Sequence, residues 1–352
     1  MAYNVAVDVG GTFTDVLLFN EETGELIQGK VLSTPEDPSK GIVTGIQAVC
    51  ERAGIGFSDL HLHFHGTTVV TNMILTSTGS RVGLLTTKGH EQILHLARAW
   101  TPGPLYGWMS LVKPDPPADP TDTIGITERI AADGTVLQPL DEDEVREAIR
   151  TLVDRGVEAL AIGFLNSYIN PAHERRAREI AREMYPDLSV SISSDMGQEY
   201  GEYERTLTTV VNTAVRPRTM HYMRNFASSI GEKGFGGTLA VVRSDGGNMS
   251  TEAVIDRPIQ IALSGPSGGV TGSAYLARVI GVPDVLTLDM GGTSTDVSLV
   301  LGGETIIRRE IQLGYYQFKV PAVARSPSCP PVARCRSARP APGLIPARPA
   351  TA

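Results

Sequence analysis

A chain of 352 residues with a formal charge of −8 is long enough to bury more than one hydrophobic core. Its charge has the wrong sign for an electrostatic hold on nucleic acid or an anionic membrane. At 41% hydrophobic and 20% charged residues the composition is that of a globular protein. Three cysteines, no basic-then-apolar leader and no bilayer-length apolar run exclude a disulfide framework and a membrane span, and make the cytoplasm the expected location.

The first predicted element is a hairpin. Apolar stretches 3–7 and 16–19 flank Asp8-Val9-Gly10-Gly11-Thr12-Phe13-Thr14-Asp15, a pattern of strand, tight turn and strand. Paired glycines are expected to take positive φ and let the backbone approach a ligand closely. Successive N–H groups in such a turn form a concave anion site, and the hydroxyls of Thr12 and Thr14 add donors. Asp8 and Asp15 repel phosphate but suit a divalent cation that contacts it. The competing account is an ordinary Gly-rich turn. A third strand at 25–33 and a helix at 38–53 closed by Gly54 follow. The glycines lie between two strands, so the dinucleotide fingerprint does not apply.

His61, His63 and His65 alternate along the next strand, so they share one face. Two readings compete there: a three-histidine metal site and a solvated polar face. A third treats His65-Gly66-Thr67-Thr68 as the end of a strand opening a helix, with N–H groups toward an anion. Residues 82–85 form a buried strand. Residues 100–120, with Trp100, Tyr106 and Trp108, form a long Pro/Gly-rich loop that lines a substrate pocket or packs on the surface. Asp141 caps a helix, with Glu144 placed for a capping box. Residues 157–165 read as a strand buried on both faces. The Arg/Glu-dense helix 171–185 reads as solvated.

The charged segment 199–205 is the expected domain boundary, and the helix after it is expected to break or kink at Pro217. A strand at 239–243 ends in Ser244-Asp245-Gly246-Gly247. The apolar stretch 259–263 leads into Ser264-Gly265-Pro266-Ser267-Gly268-Gly269 and a small-residue helix. That is a Gly-rich strand-to-helix turn suited to an anion, or else to close helix packing. Then the opening motif returns as Asp289-Met290-Gly291-Gly292-Thr293-Ser294-Thr295-Asp296, again between apolar stretches. Two matching copies with matching flanks favour phosphate binding by two opposed turns over coincidence. A strand is expected at 304–312. Residues 324–352 hold seven Pro, five Arg and no acidic residue; no core can form from them. They read as a disordered tail from a shifted reading frame, or as a basic segment for an acidic partner.

With these motifs in order, residues 1 to about 323 resemble the hydantoinase A / 5-oxoprolinase family. The resemblance implies an α/β fold of the actin/sugar-kinase/Hsp70 type, two ribonuclease H-like lobes clasping ATP, with the second lobe incomplete here. It implies an N-terminal domain over 1–195, a truncated core domain over 196–323 and the tail. It assigns Gly10, Gly11, Thr12, Thr14, Gly291, Gly292, Thr293 and Thr295 to phosphate, with Gly265, Gly268 and Gly269 as a further nucleotide contact. Asp8 and Asp289 would hold Mg²⁺, and Asp15 or Asp296 would orient the acceptor or structure the turn. Members open cyclic amides such as hydantoins or 5-oxoproline, or serve as acetone or acetophenone carboxylase subunits. The implied partners are a small cyclic amide or ketone and a hydantoinase B-type subunit. Family members continue well past this length with another Gly-rich stretch that completes the nucleotide site, so an inactive fragment is the remaining alternative.

Overall fold

Alternation at the N-terminus folds as its period dictates. In the computed structural model, which describes residues 3–34, 36–98, 115–290, 295–313 and 316–324, β1 (Tyr3–Val9) pairs antiparallel with β2 (Phe13–Asn20), with Asp8 opposite Asp15. β3 (Leu26–Leu32) extends the meander. α1 (Pro38–Ala53) is capped by the Asp37 side chain and stopped by left-handed Gly54. β4 (Leu60–Thr67) then returns parallel to β1.

After α2 (Val69–Thr76) the chain builds a second layer. Its elements are β5 (Val82–Thr87), α3 (Ile93–Leu96), β6 (Thr123–Ile126), β7 (Arg129–Ile130), β8 (Val136–Gln138), α4 (Glu142–Asp154), β9 (Ala159–Gly163), α5 (Ala172–Met184), β10 (Ser189–Ile192) and α6 (Ser193–Met196). The long α7 (Glu202–Glu232) leads back to the first layer through β11 (Thr238–Val242), β12 (Asn248–Ser250) and α8 (Thr251–Asp256). Next come α9 (Ser264–Val279), β13 (Val285–Met290), β14 (Thr295–Leu301) and β15 (Glu304–Thr305). Short strands β16 (Ile307–Arg308), β17 (Ile311–Leu313), β18 (Tyr316–Phe318) and β19 (Ala322–Val323) close the described chain.

Three sheets matter. The first has order β12-β11-β4-β1-β2-β3, in which β11–β4 and β4–β1 pair parallel and β12–β11, β1–β2 and β2–β3 pair antiparallel. The second is parallel, β10-β9-β5-β6. Every residue of β5 and β9 is buried, as expected when helices cover both faces. α4 and α5 cover one face through Val145, Ile149, Leu152, Ala177 and Ile180. α7 covers the other and reaches the first sheet, so Leu84, Ala161, Leu207, Val210, Phe226 and Val5 share one core. The third sheet, β13-β14-β15, repeats the opening hairpin with Asp289 opposite Asp296.

Several expectations change here. α7 runs unbroken through Pro217. One lost backbone bond costs about 3 kcal/mol, less than the burial of Leu207, Val210, Met223, Phe226 and Ile230 along the same helix returns. Stretch 259–263 is a 3₁₀ turn running into α9, not a strand. Stretch 304–312 is broken among three short strands. Asp141 does cap α4 by accepting from the Glu144 N–H, but Glu144 sends its own carboxylate to the Thr127 N–H and Lys88.

The charges of α5 are not all solvated. Glu174 is fully buried and accepts from the N–H groups of Phe164 and Ser194 and the hydroxyls of Ser167 and Ser193. Beside it, buried Arg205 donates to Ser193 Oγ and to the carbonyls of Phe164 and Glu199. These bonds seat the first turn of α7 on the second sheet. Arg98 grips Glu204 of that turn at 2.5 and 2.6 Å. Most of the predicted 100–120 loop, with its two tryptophans, lies outside the described residues.

Candidate functional site

Asp8 sits where three elements converge. Strand alternation points it to the face of the first sheet that α9 covers. Neighbouring Gly66 at the end of β4 and Gly265 in the first turn of α9 make the room: a Cβ on either would stand 3.2 or 3.0 Å from Asp8 Oδ1. No side chain caps the start of α9, and the positive end of that helix lies beside this carboxylate at Gly265. The Asp8 carboxyl is nevertheless pushed above its ordinary range, first by desolvation, then by Asp15, then by Asp289, with Lys30 opposing. Acidic groups from both hairpins therefore act on one point. A divalent cation would relieve that repulsion, since Mg²⁺ binds through one or two carboxylates plus phosphate and water.

The other expected site residues divide. Asp15 stands opposite Asp8 and is held by Lys30 at 2.8 and 3.0 Å. Gly10, Gly11 and Thr12 form the turn, tied by the Gly10 N–H to the Phe13 carbonyl and by Ser33 to the carbonyls of Gly10 and Thr12. Neither Gly10 nor Gly11 takes positive φ. Gly10 is needed for a different reason: a Cβ there would meet the Phe13 carbonyl at 3.0 Å. Thr14 is fully buried and its hydroxyl meets Ser33 Oγ at 3.0 Å, so it braces the turn from inside instead of offering a donor.

In the second hairpin, Asp289 and Asp296 line a cavity of about 420 Å³ together with Gly269 and Ser273 of α9. Gly268 packs toward Val242. Gly291, Gly292 and Thr293 lie outside the described residues; Thr295 pairs with Met290 in the ladder, its side chain also outside the described residues.

The histidines have another role from those expected. His61 is exposed, while His63 and His65 turn into the core against Phe226 of α7. His65 Nε2 meets Tyr222 Oη at 2.8 Å. Burial holds His65 down to about 3 and, aided by His65, holds His63 well below 6.5. Two neutral buried rings are neither a solvated face nor a metal site, and no cluster of three metal-binding side chains occurs among the described residues.

The serines beside the glycines went unread. Ser264 Oγ accepts from the Thr67 N–H at 3.0 Å and donates to the Thr67 carbonyl at 2.7 Å, fastening α9 to β4. Ser244 donates to the Gln260 carbonyl and accepts from the Leu263 N–H, and Ser267 donates to the Ser244 carbonyl. Asp245 is consumed by its own turn, accepting from Gly247 and pairing with Arg243. The available signal was a serine opening each Gly-Gly motif.

Known proteins resemble this chain over most of its length. A hydantoinase/oxoprolinase N-terminal region profile matches residues 4–185, and a hydantoinase/oxoprolinase profile matches residues 205–326. The chain belongs to the hydantoinase/oxoprolinase family. The acetophenone carboxylase gamma subunit of Aromatoleum aromaticum is 35% identical over 85% of this chain and 42% of its own length. A nucleotide-free structure of acetone carboxylase, from work on ATP-dependent acetone carboxylation, superposes with a TM-score of 0.85 at 28% identity, covering 93% of this chain and 48% of that one. The ATP-dependent caprolactamase of Pseudomonas jessenii superposes at 0.82 and 30% identity, covering 92% and 47%. The chain spans about half the length of the carboxylase and caprolactamase subunits it matches and about a quarter of the 5-oxoprolinases. This hydantoinase/oxoprolinase chain thus has relatives among ATP-dependent amide hydrolases and among carboxylases. Among its described residues no helix is long and apolar enough to cross a membrane.

Proposed function

We propose that this chain handles ATP for an enzyme that opens a cyclic amide of the hydantoin or 5-oxoproline type. The observation that carries the reading is Asp8 set against Gly265 in the first turn of α9, with Asp15 opposite it in the ladder and Asp289 of the second hairpin acting on its charge. The order β3-β2-β1-β4-β11 in the first sheet supports an actin-like ATPase lobe. Bound Mg·ATP would supply a phosphoryl group to the carbonyl oxygen, ADP leaving with the bonding pair and the acceptor's N–H or α-C–H proton passing to a base.

The chain's own groups orient and neutralise. Gly10, Gly11 and Thr12, with Gly291, Gly292 and Thr293, would take the phosphates; Gly265 and Gly269 would flank them. Asp8 and Asp289 would hold Mg²⁺, and Asp15 and Asp296 would fix the turns. Identity to the acetophenone carboxylase subunit favours a second reading, phosphorylation of a ketone's enol before carboxylation. In both, a hydantoinase B-type partner would complete the reaction.

Titration calorimetry of the 352-residue chain with Mg·ATP tests the shared step. Heat is expected for the native chain and none for Asp8→Ala; an athermal native chain overturns the reading. ADP release stimulated by a lactam supports the hydrolase, and release requiring both ketone and bicarbonate supports the carboxylase.

A further inference from the structure

A second cavity, of about 910 Å³, opens on the opposite face of the first sheet from Asp8. Alternation explains the division. Asp8 and Gly66 point toward α9, whereas His65 and Thr67, one residue to either side of Gly66, point toward α7 and its Tyr222. The two spaces share one boundary, the Gly10–Gly11 turn, which lines the second cavity.

Its walls carry neutral hydrogen-bonding groups. Thr68 and Asn72 stand on one side, with Asn72 Nδ2 at 3.4 Å from Thr68 Oγ1 and Thr68 bonded in turn to the Val9 carbonyl. His221 and Asn225 of α7 stand on the other, 2.9 Å apart. The charged lining is Glu36, Asp37 and Glu158 against Arg218 alone. Three carboxylates to one guanidinium disfavour an anion, so this is not a second phosphate site. The volume is that of a small-molecule site, where a few placed polar groups give orientation.

We infer that this cavity takes the phosphoryl acceptor, and that it narrows the acceptors proposed above to a small neutral carbonyl compound, an uncharged cyclic amide of the hydantoin kind or a ketone, and not 5-oxoproline with its carboxylate. The inference rests on the ATP reading above for the word acceptor, but the binding claim stands by itself. Asn72 and Asn225 bind and orient the carbonyl compound beside the Gly10–Gly11 turn. A lactam bearing a carboxylate, such as 5-oxoproline, meets three like charges there and binds worse.

Saturation-transfer NMR on the 352-residue chain, with caprolactam, acetophenone and 5-oxoproline as separate probes, tests this. At least one neutral probe is expected to show transfer, with 5-oxoproline about tenfold weaker or silent, and the two neutral probes separate the lactam from the ketone arm. Asn72→Leu and Asn225→Leu, both exposed positions, are each expected to weaken binding about tenfold, with circular dichroism melts confirming that they fold. Equal or stronger transfer from 5-oxoproline overturns the proposal. So does transfer indifferent to both substitutions, or silence from both neutral probes. Mg·ATP calorimetry on the same sample separates the two readings: ATP heat without carbonyl binding sinks this cavity's role, whereas carbonyl binding without ATP heat sinks the nucleotide reading alone.

Discussion

The two hairpins share a motif and a register but not an environment. Val7 in β1 is 3% exposed and its counterpart Leu288 in β13 is 66% exposed; Leu18 in β2 is 1% exposed and its counterpart Leu299 in β14 is 40% exposed. The first hairpin lies inside a six-stranded sheet covered by α1 and α7, the second in a three-stranded sheet backed by α9. The Asp-Gly-Gly-Thr pattern therefore specifies strand, turn and the pairing of its two aspartates. It does not specify burial, which neighbouring elements provide.

Core truncation probes that contrast most strongly. Leu18→Ala is expected to cost about 2–5 kcal/mol in urea unfolding, and Leu299→Ala under about 1 kcal/mol. Equal losses would erase the distinction.

Acid comes next, because the first sheet holds two buried histidines. Their folded-state values lie below the unfolded 6.5, so the neutral rings contribute stability that is full above pH 6.5. It is lost as pH falls from there toward about 3. The slope is about 1.4 kcal/mol per pH unit for each ring. Urea midpoints should fall from pH 7 to pH 5, and the double substitution His63→Leu, His65→Phe should flatten the profile. A native profile already flat would show the rings to be protonated or exposed.

The smallest effect is the most direct test that Asp289 of the second hairpin acts on Asp8 of the first. Asp289→Asn removes one of the charges that raise Asp8, so the Asp8 carboxyl should titrate lower, read by carbon-detected NMR. No movement would mean that the two turns do not share a field.

Legibility followed the length scale of each signal. Both hairpins, the buried strand β9 and the Asp141 cap were readable because the period, the turn residues and the cap all lie within a few positions. Pro217 does not break α7 because the packing that holds the helix together comes from strands far along the chain. His63 and His65 misled because alternation shows which residues share a face, not what covers it, and Phe226 arrives from α7. Glu174 resembled its solvated neighbours on α5 because its partners, Phe164, Ser167, Ser193 and Ser194, come from two other elements. At the candidate site, the motif singled out Asp8. Its cradle of Gly66 and Gly265 required three separated segments to meet.

Ser264 has a mechanical corollary. It grips both backbone polar groups of Thr67, so the seam between α9 and the first sheet carries no slack. The same helix also packs on the third sheet, through Val270 and Ala274 against Val300, and Arg278 donates to the Gly303 carbonyl. Through α9, then, a push on the second hairpin reaches the floor beneath Asp8.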